Sequence, residues 1–169
     1  MELSTIAGET PIGLCGTGII DAVGEAVRLG LIDENGTFEE PWFTDGMPVA
    51  EGRFRFRQED VRQVQMGKAA IRAGIETLLA RSGKRYEDVS AVLLAGGFGA
   101  SMDLRSACAI GLLPPALRGR TRHVGNSAGL GAALCLAARC RYLELSGARD
   151  FDERFIDAMF FDEWEDLDG

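Results

Sequence analysis

The spacing of apolar residues divides the chain into a small number of strong elements. Ile19, Ile20, Val23, Ala26 and Val27 recur at intervals of three and four, which predicts a helix directly after the glycine-rich stretch Gly13-Leu14-Cys15-Gly16-Thr17-Gly18, with Gly30 as its stop. Residues 31–38 centre on Asn35-Gly36 and read as a short turn or hairpin. Residues 39–52, with Pro41 and Pro48, read as a loop, and Arg53 to Phe56 as a short alternating strand. The longest helix is expected from Gln58 to Arg81, with Val61, Val64, Ile71, Ile75, Leu78 and Leu79 as its apolar stripe. Gln65, Lys68 and Arg72 fall along one edge of that stripe. Such a strip either points into a cleft or forms a rim whose long stems cover apolar surface.

The second half alternates between the two periodicities. Ser90 to Ala95 is an unbroken apolar run ended by Gly96-Gly97, the pattern of a strand buried on both faces in a parallel sheet. Met102 to Ile110 predicts a short helix closed by Gly111 and Pro114-Pro115, and Thr121 to Val124 a second strand. Asn126 is placed to cap a helix from Ser127 to about Arg139, Tyr142 to Leu145 fits a further strand, and Phe151 to Phe161 fits an amphipathic helix. Strand, helix, strand and helix in this order predict an α/β fold with a right-handed crossover. Residues 1–149 then form one lobe, and residues 150–169 a terminal helix with an acidic tail. Phe151, Phe155, Ile156, Met159 and Phe160 are the residues that helix offers for docking.

Charge sharpens that division. Of 26 acids, nine lie in residues 150–169 beside a single base, Arg154, so this segment carries the whole net charge of −8. The remainder is neutral, which argues against a nucleic-acid surface. No apolar run is long enough to span a bilayer, and residues 1–13 lack the pattern of a secretory signal. The four cysteines include no Cys-x-x-Cys pair and signal no zinc or iron–sulfur site. Cys108 and Cys135 lie within apolar helical patterns and read as buried free thiols of a reducing, cytoplasmic compartment. His123 is the only histidine.

Three glycine-rich segments carry the candidate chemistry. Leu93-Leu94-Ala95-Gly96-Gly97-Phe98-Gly99 follows a buried strand, where glycine admits positive φ or the close approach of a ligand. Ligands of open α/β sheets bind at that end of the strands, although a tight strand-to-helix turn uses the same residues. Neither a dinucleotide fingerprint nor a phosphate loop with its Lys-Ser/Thr pair is present. Val124-Gly125-Asn126-Ser127-Ala128-Gly129 leads into a helix of small residues, suited to close packing or to a hinge. Gly13 to Asp21 fits a plain helix start or an anion site at a helix N-terminus; Asp21 is either structural or faces a metal-bound nucleotide.

Taken in order, these segments resemble the C-terminal ATP-binding domain of the reductive activators of corrinoid-dependent enzymes, a domain of the actin, hexokinase and Hsp70 type. The resemblance rests on PIGLCGTGIIDAV (11–23), GLIDENGTF (30–38), EDVRQVQMGKAAIRAGIETLL (59–79), VLLAGGFGASMDLRSACAIGLLP (92–114), VGNSAGLGAAL (124–134) and YLELSGARDFDERFIDAMFF (142–161). It implies a ribonuclease H-like lobe, incomplete here, with Gly96, Gly97 and Gly99 in an adenosine motif. It places Gly125 and Asn126, with Gly129, in a connecting motif at an inter-lobe hinge, and Gln65 and Lys68 on an adenine-contacting helix. It also implies ATP with magnesium, an iron–sulfur cluster held by a separate N-terminal domain, and a corrinoid protein or corrinoid-dependent methyltransferase as partner. The family's Asp-x-Gly phosphate motifs, its first connecting motif and its iron–sulfur cysteines have no counterpart in these residues, and the stretch from Ala133 to Tyr142 is shorter than the family's. The expectation is therefore one half of a nucleotide cleft, with hydrolysis dependent on parts this chain does not carry. A non-catalytic docking module is the alternative. A lobe left uncovered would present an apolar face to a second copy and favour a homodimer.

Overall fold

The computed structural model describes residues 5, 8–125, 127, 147 and 150–161. Helix α1 (Gly16–Arg28) begins where expected: Cys15 is its N-cap, with Sγ accepting from the Gly18 N–H at 3.4 Å. Its buried face is Ile20, Ala22, Val23, Gly24 and Ala26. Gly30, at φ 66°, turns the chain out of the helix into the predicted hairpin, which closes through an Ile32–Phe38 bridge. Asp33 Oδ1 accepts the Thr37 N–H at 2.6 Å within it.

The expected 39–52 loop holds more structure than its prolines suggest. A single helical turn, α2 (Trp42–Asp45), leads to β1 (Met47–Val49), which pairs antiparallel with β2 (Phe54–Phe56). Met47 and Val49 are buried and Pro48 exposed, and in this two-stranded ribbon β1 is an edge strand, where a proline is tolerated. Phe56 packs edge-on against Phe38, ring centroids 5.8 Å apart, which ties the ribbon to the hairpin.

Helix α3 (Gln58–Ser82) matches its predicted span, but its buried face differs from the predicted stripe. Val61 and Val64 are buried; beyond them the inward residues are Gln65, Lys68, Ala69, Ala73, Gly74 and Thr77. Ile71 and Leu78 are each 47% exposed. The cause is partner chemistry. The inward face meets backbone carbonyls and close-packed small residues, so polar and small side chains occupy it while longer aliphatic ones lie outside. Gln58 ties the helix to the hairpin by accepting the Phe38 N–H at 2.9 Å and donating to Gly36 O at 2.6 Å.

The strand expected over Ser90–Ala95 is shorter, β3 (Val92–Leu94), and is not buried on both faces. Leu93 is 61% exposed, while Val92 and Leu94 are half-buried against the core. Among the described residues β3 has one neighbour, β4 (Thr121–His123), so an unbroken apolar run here covers only one side. The two are parallel, with Val92 opposite Thr121 and Leu94 opposite His123. They are connected through α4 (Gly96–Ala100), α5 (Leu104–Ala109) and a 3-10 turn over Pro115–Arg120. This is the parallel strand–helix–strand arrangement the periodicities predict. Asp103 caps α5 by accepting the Arg105 and Ser106 N–H groups, both at 2.8 Å. Helix α6 (Phe151–Asp157) is shorter than expected and lies on α3. The predicted helix from Ser127 and strand from Tyr142 fall outside the described residues.

One core joins these parts. Val23, Val61, Ala107 and Ile110 are completely buried in it, and Cys108 is a buried free thiol as expected. Burial pushes the Cys108 thiol pKa up. A close seam lies between α1 and α5, where a Cβ on Gly24 would sit 3.1 Å from Ser106 Cα and 3.4 Å from Ser106 O. Backbone cannot yield as a side chain can. Gly24→Val is therefore expected to lower stability by about 1–3 kcal/mol, as overpacked interiors do, read as a shift of the urea midpoint at unchanged slope; an unchanged midpoint would show that this seam is loose.

Candidate functional site

The parallel pair β3–β4 delivers two glycine turns to the same place. Beyond the last paired residues, Val124 N–H donates to Leu94 O at 2.9 Å, and Gly96 N–H donates to Gly125 O at 2.7 Å. The chain can leave both strands this way because Gly96 has φ 81° and Gly125 φ 63°, conformations that L side chains rarely adopt. The two turns thus close on each other at the carboxyl ends of parallel strands, where ligands of open α/β sheets bind.

The glycines of the first turn do different work. Gly99 is a packing glycine: its Cβ would lie 3.1 Å from the Leu94 carbonyl carbon. Its carbonyl oxygen is 2.6 Å from His123 Nδ1, so that ring nitrogen carries the proton and donates. Gly97 is exposed, has ordinary φ, and among the described residues nothing outside its own stretch of chain lies within 4 Å of where its Cβ would be. No packing contact among the described residues requires glycine there. An open backbone on the ligand side of the turn is what close approach of a flat or bulky group needs.

The third glycine segment joins the same region. A Cβ on Gly16 would be 3.1 Å from two carbons of the Phe98 ring, so the first turn of α1 lies against the glycine turn. Phe98 remains 46% exposed, an aromatic face at the edge of the site. Beside it Cys15 is an exposed free thiol. Its pKa is lowered, first by the Thr17 hydroxyl and then by the Gly18 N–H, both of which favour the thiolate. One turn further along α1, Asp21 Oδ1 is buried without a hydrogen-bond partner.

The structure therefore brings Gly96, Gly97, Gly99 and Gly125 together, while Asn126 lies outside the described residues. Gln65 and Lys68 are turned elsewhere. Both are buried, at 1% and 2% exposure. Gln65 Nε2 donates to Asn35 O at 3.0 Å and Met159 O at 2.9 Å; Lys68 Nζ donates to Phe160 O and sits 4.4 Å from the Phe161 ring centroid. The polar strip read along α3 is thus neither a solvent rim nor, in this structure, an open ligand wall; it holds the C-terminal segment. Arg72, next along the strip, donates to Glu76 at 2.9 Å and to Gly111 O at 3.3 Å. Phe98 and Phe161 were not singled out by sequence reasoning, because an aromatic residue beside glycines or after a helix has no distinctive spacing.

Among the described residues no three His, Cys, Asp or Glu side chains cluster to hold a metal ion, and no helix is long and apolar enough to cross a membrane.

The chain is similar to known proteins. A family model described as the C-terminal domain of RACo, the ASKHA domain, matches residues 1–167. The corrinoid activation enzyme RamQ of Eubacterium limosum is 35% identical over 159 residues, covering 80% of this chain and 27% of that protein. The [Co(II) methylated amine-specific corrinoid protein] reductase of Methanosarcina barkeri is 30% identical over 113 residues, covering 67% of this chain and 20% of that protein. A solved structure of a reductive activator for corrinoid,iron-sulfur protein superimposes with a TM-score of 0.78 at 30% identity, covering 95% of this chain and 30% of that one. The chain spans less than a third of the length of each of these relatives.

The geometry at Cys15 generates a test of its own. Replacing Thr17 by Ala removes the largest stabiliser of the thiolate, so the midpoint of the pH–rate profile for alkylation at Cys15 should move upward. At about pH 8, where the thiolate fraction governs the rate, the reaction should slow. Peptide mass spectrometry of the modified residue reads it out, and an unchanged profile would show that the hydroxyl does not act on the thiol.

Proposed function

The chain belongs to the family of RACo C-terminal ASKHA domains, and from that premise we propose that it forms the adenosine side of the nucleotide cleft in an ATP-dependent reductive activator of corrinoid proteins. The observation that carries the reading is the pair of glycine turns joined at the carboxyl ends of β3 and β4, with Gly97 open on the outer side. Adenosine would lie against the Gly96-Gly97 backbone, which no Cβ obstructs, with the exposed Phe98 ring at its edge. Gly99 would act from behind, keeping the turn against Leu94.

The residues present fit the nucleoside better than they fit the metal. Magnesium commonly binds through one or two carboxylates together with phosphate oxygens. The one candidate these elements offer is Asp21, whose orphaned oxygen is an acceptor in need of a donor or cation. ATP, when bound, supplies the free energy of its hydrolysis. The chain's own residues orient the nucleoside and exclude water from one side of it.

In the activator, nucleotide-driven closure of two lobes would promote the complex with an oxidised corrinoid protein, so that an electron from an iron–sulfur cluster elsewhere in the protein can reach cobalt. The named relatives support a corrinoid protein as the partner: one is a corrinoid activation enzyme and another a reductase of a corrinoid protein. Those names also favour this reading over a non-catalytic docking module.

Calorimetric titration with adenosine and with Mg-ATP tests the assignment. Gly97→Val should leave the unfolding midpoint within error, since its side chain enters open space, and should weaken adenosine binding at least tenfold. Retained affinity in a folded Gly97→Val variant would reject the site.

A further inference from the structure

The turn between β3 and α5 has little of its own to hold its shape. Helix α4 reads Gly-Gly-Phe-Gly-Ala, and its three glycines have the weakest helix preference short of proline. It buries one residue, Gly99, and its N-cap, Ala95, makes no side-chain hydrogen bond. Gly97 and Phe98 are exposed. What fixes this turn comes from outside it.

The β4 end supplies a tether to each end of the turn. Gly96 N–H donates to Gly125 O at 2.7 Å, and His123 Nδ1 lies 2.6 Å from Gly99 O. The second tether is a side-chain bond between residues 24 apart in sequence. Its donor stands opposite Leu94 in the β3–β4 register. Leu94 is also the residue against which Gly99 packs, since a Cβ on Gly99 would lie 3.1 Å from the Leu94 carbonyl carbon. The imidazole and Leu94, neighbours across the sheet, therefore hold Gly99 together. A carbonyl oxygen only accepts, so Nδ1 carries the ring proton, and in the neutral ring Nε2 has none.

Between the two tethers lie Gly97 and Phe98, the span against which adenosine is placed above. A glycine-rich span without tethers samples many shapes, and binding then bears the cost of ordering it. We propose that His123 is a positioning residue for the nucleoside face: its bond to Gly99 O holds the Gly96–Gly99 turn in the shape that receives adenosine, without the ring itself touching the ligand. The proposal rests on the nucleotide reading given above.

His123 is the chain's only histidine, so its ring nitrogens are read without overlap. Nitrogen NMR of the isotopically labelled chain, in mildly alkaline buffer and without ligand, should find the proton on Nδ1; a proton on Nε2 would overturn the proposal. Three variants then separate positioning from stability. His123→Asn keeps an amide donor where Nδ1 stands, His123→Gln carries its amide further out at the level of Nε2, and His123→Leu has no donor. With every variant under conditions where it is folded, the asparagine variant should bind adenosine within about twofold of the wild type, and the other two about fivefold or more weakly, because the ordering cost then falls on binding. Relaxation of the Gly97 and Phe98 amides should show added motion in those two variants, with α5 unchanged. The glutamine variant serves if the leucine variant does not fold. Wild-type affinity in a folded glutamine or leucine variant, or equal weakening in asparagine and glutamine, would overturn the positioning role and leave the nucleotide site standing. No adenosine binding by the wild type would remove both, while the nitrogen signals would still report the bond.

Discussion

The hydrogen bond from Gly96 N–H to Gly125 O is the constraint on which the site depends. It continues the pairing of β3 with β4 one step past the strands and locks two turns face to face. Both turns need positive φ at that step, so both need glycine. Once they are locked, Gly99 is pressed against Leu94 and anchored through its carbonyl to His123, and Gly97 is left exposed with no described side chain against it. Three glycines in four residues therefore divide into one that sets the turn, one that packs and one that stays clear. Only the last is free to answer to a ligand.

Helix α3 is organised by a different principle. Its inner face is not an oily stripe but a mixture of small residues and satisfied polar ones. Gln58 and Gln65 hold the 33–37 hairpin, Arg62 adds a bond to Asn35 O at 2.7 Å, and Gln65 and Lys68 hold the C-terminal segment. The hairpin fits so closely that a Cβ on Gly36 would fall within 2.3 Å of the Gln65 amide. Each of these contacts is directional and each can in principle be exchanged for another acceptor.

Much of this was legible in the sequence where periodicity and turn chemistry agreed. The Ile19–Val27 repeat, Asn35-Gly36, the span of α3 and the β3–α5–β4 order all follow from local rules, and the glycine turns were visible as clusters that fit either a tight turn or the close approach of a ligand. What escaped reading was set by partners distant in sequence. Ile71 and Leu78 looked like core and are half exposed, because the facing surface presents carbonyls to Gln65 and Lys68 rather than apolar side chains. Leu93 looked buried on both faces, but one neighbouring strand covers only one of them. Phe161, beyond the predicted docking residues, is the actual plug at 4% exposure, because the chain turns inward just after α6 to reach Glu34 O. The polar row on α3 was visible from its spacing and read as a cleft edge or a rim, while its engagement by the C-terminal segment depends on a contact across more than ninety residues, which no local pattern encodes.

The central claim is that the joined glycine turns form a nucleoside-binding face. Amide chemical-shift mapping of the isotopically labelled chain during an adenosine titration tests it most directly. The account predicts saturable shifts at the amides of Gly96, Gly97, Gly99 and Gly125, with Phe98 shifting alongside them. Saturable binding whose shifts fall elsewhere and leave these amides unmoved would contradict it.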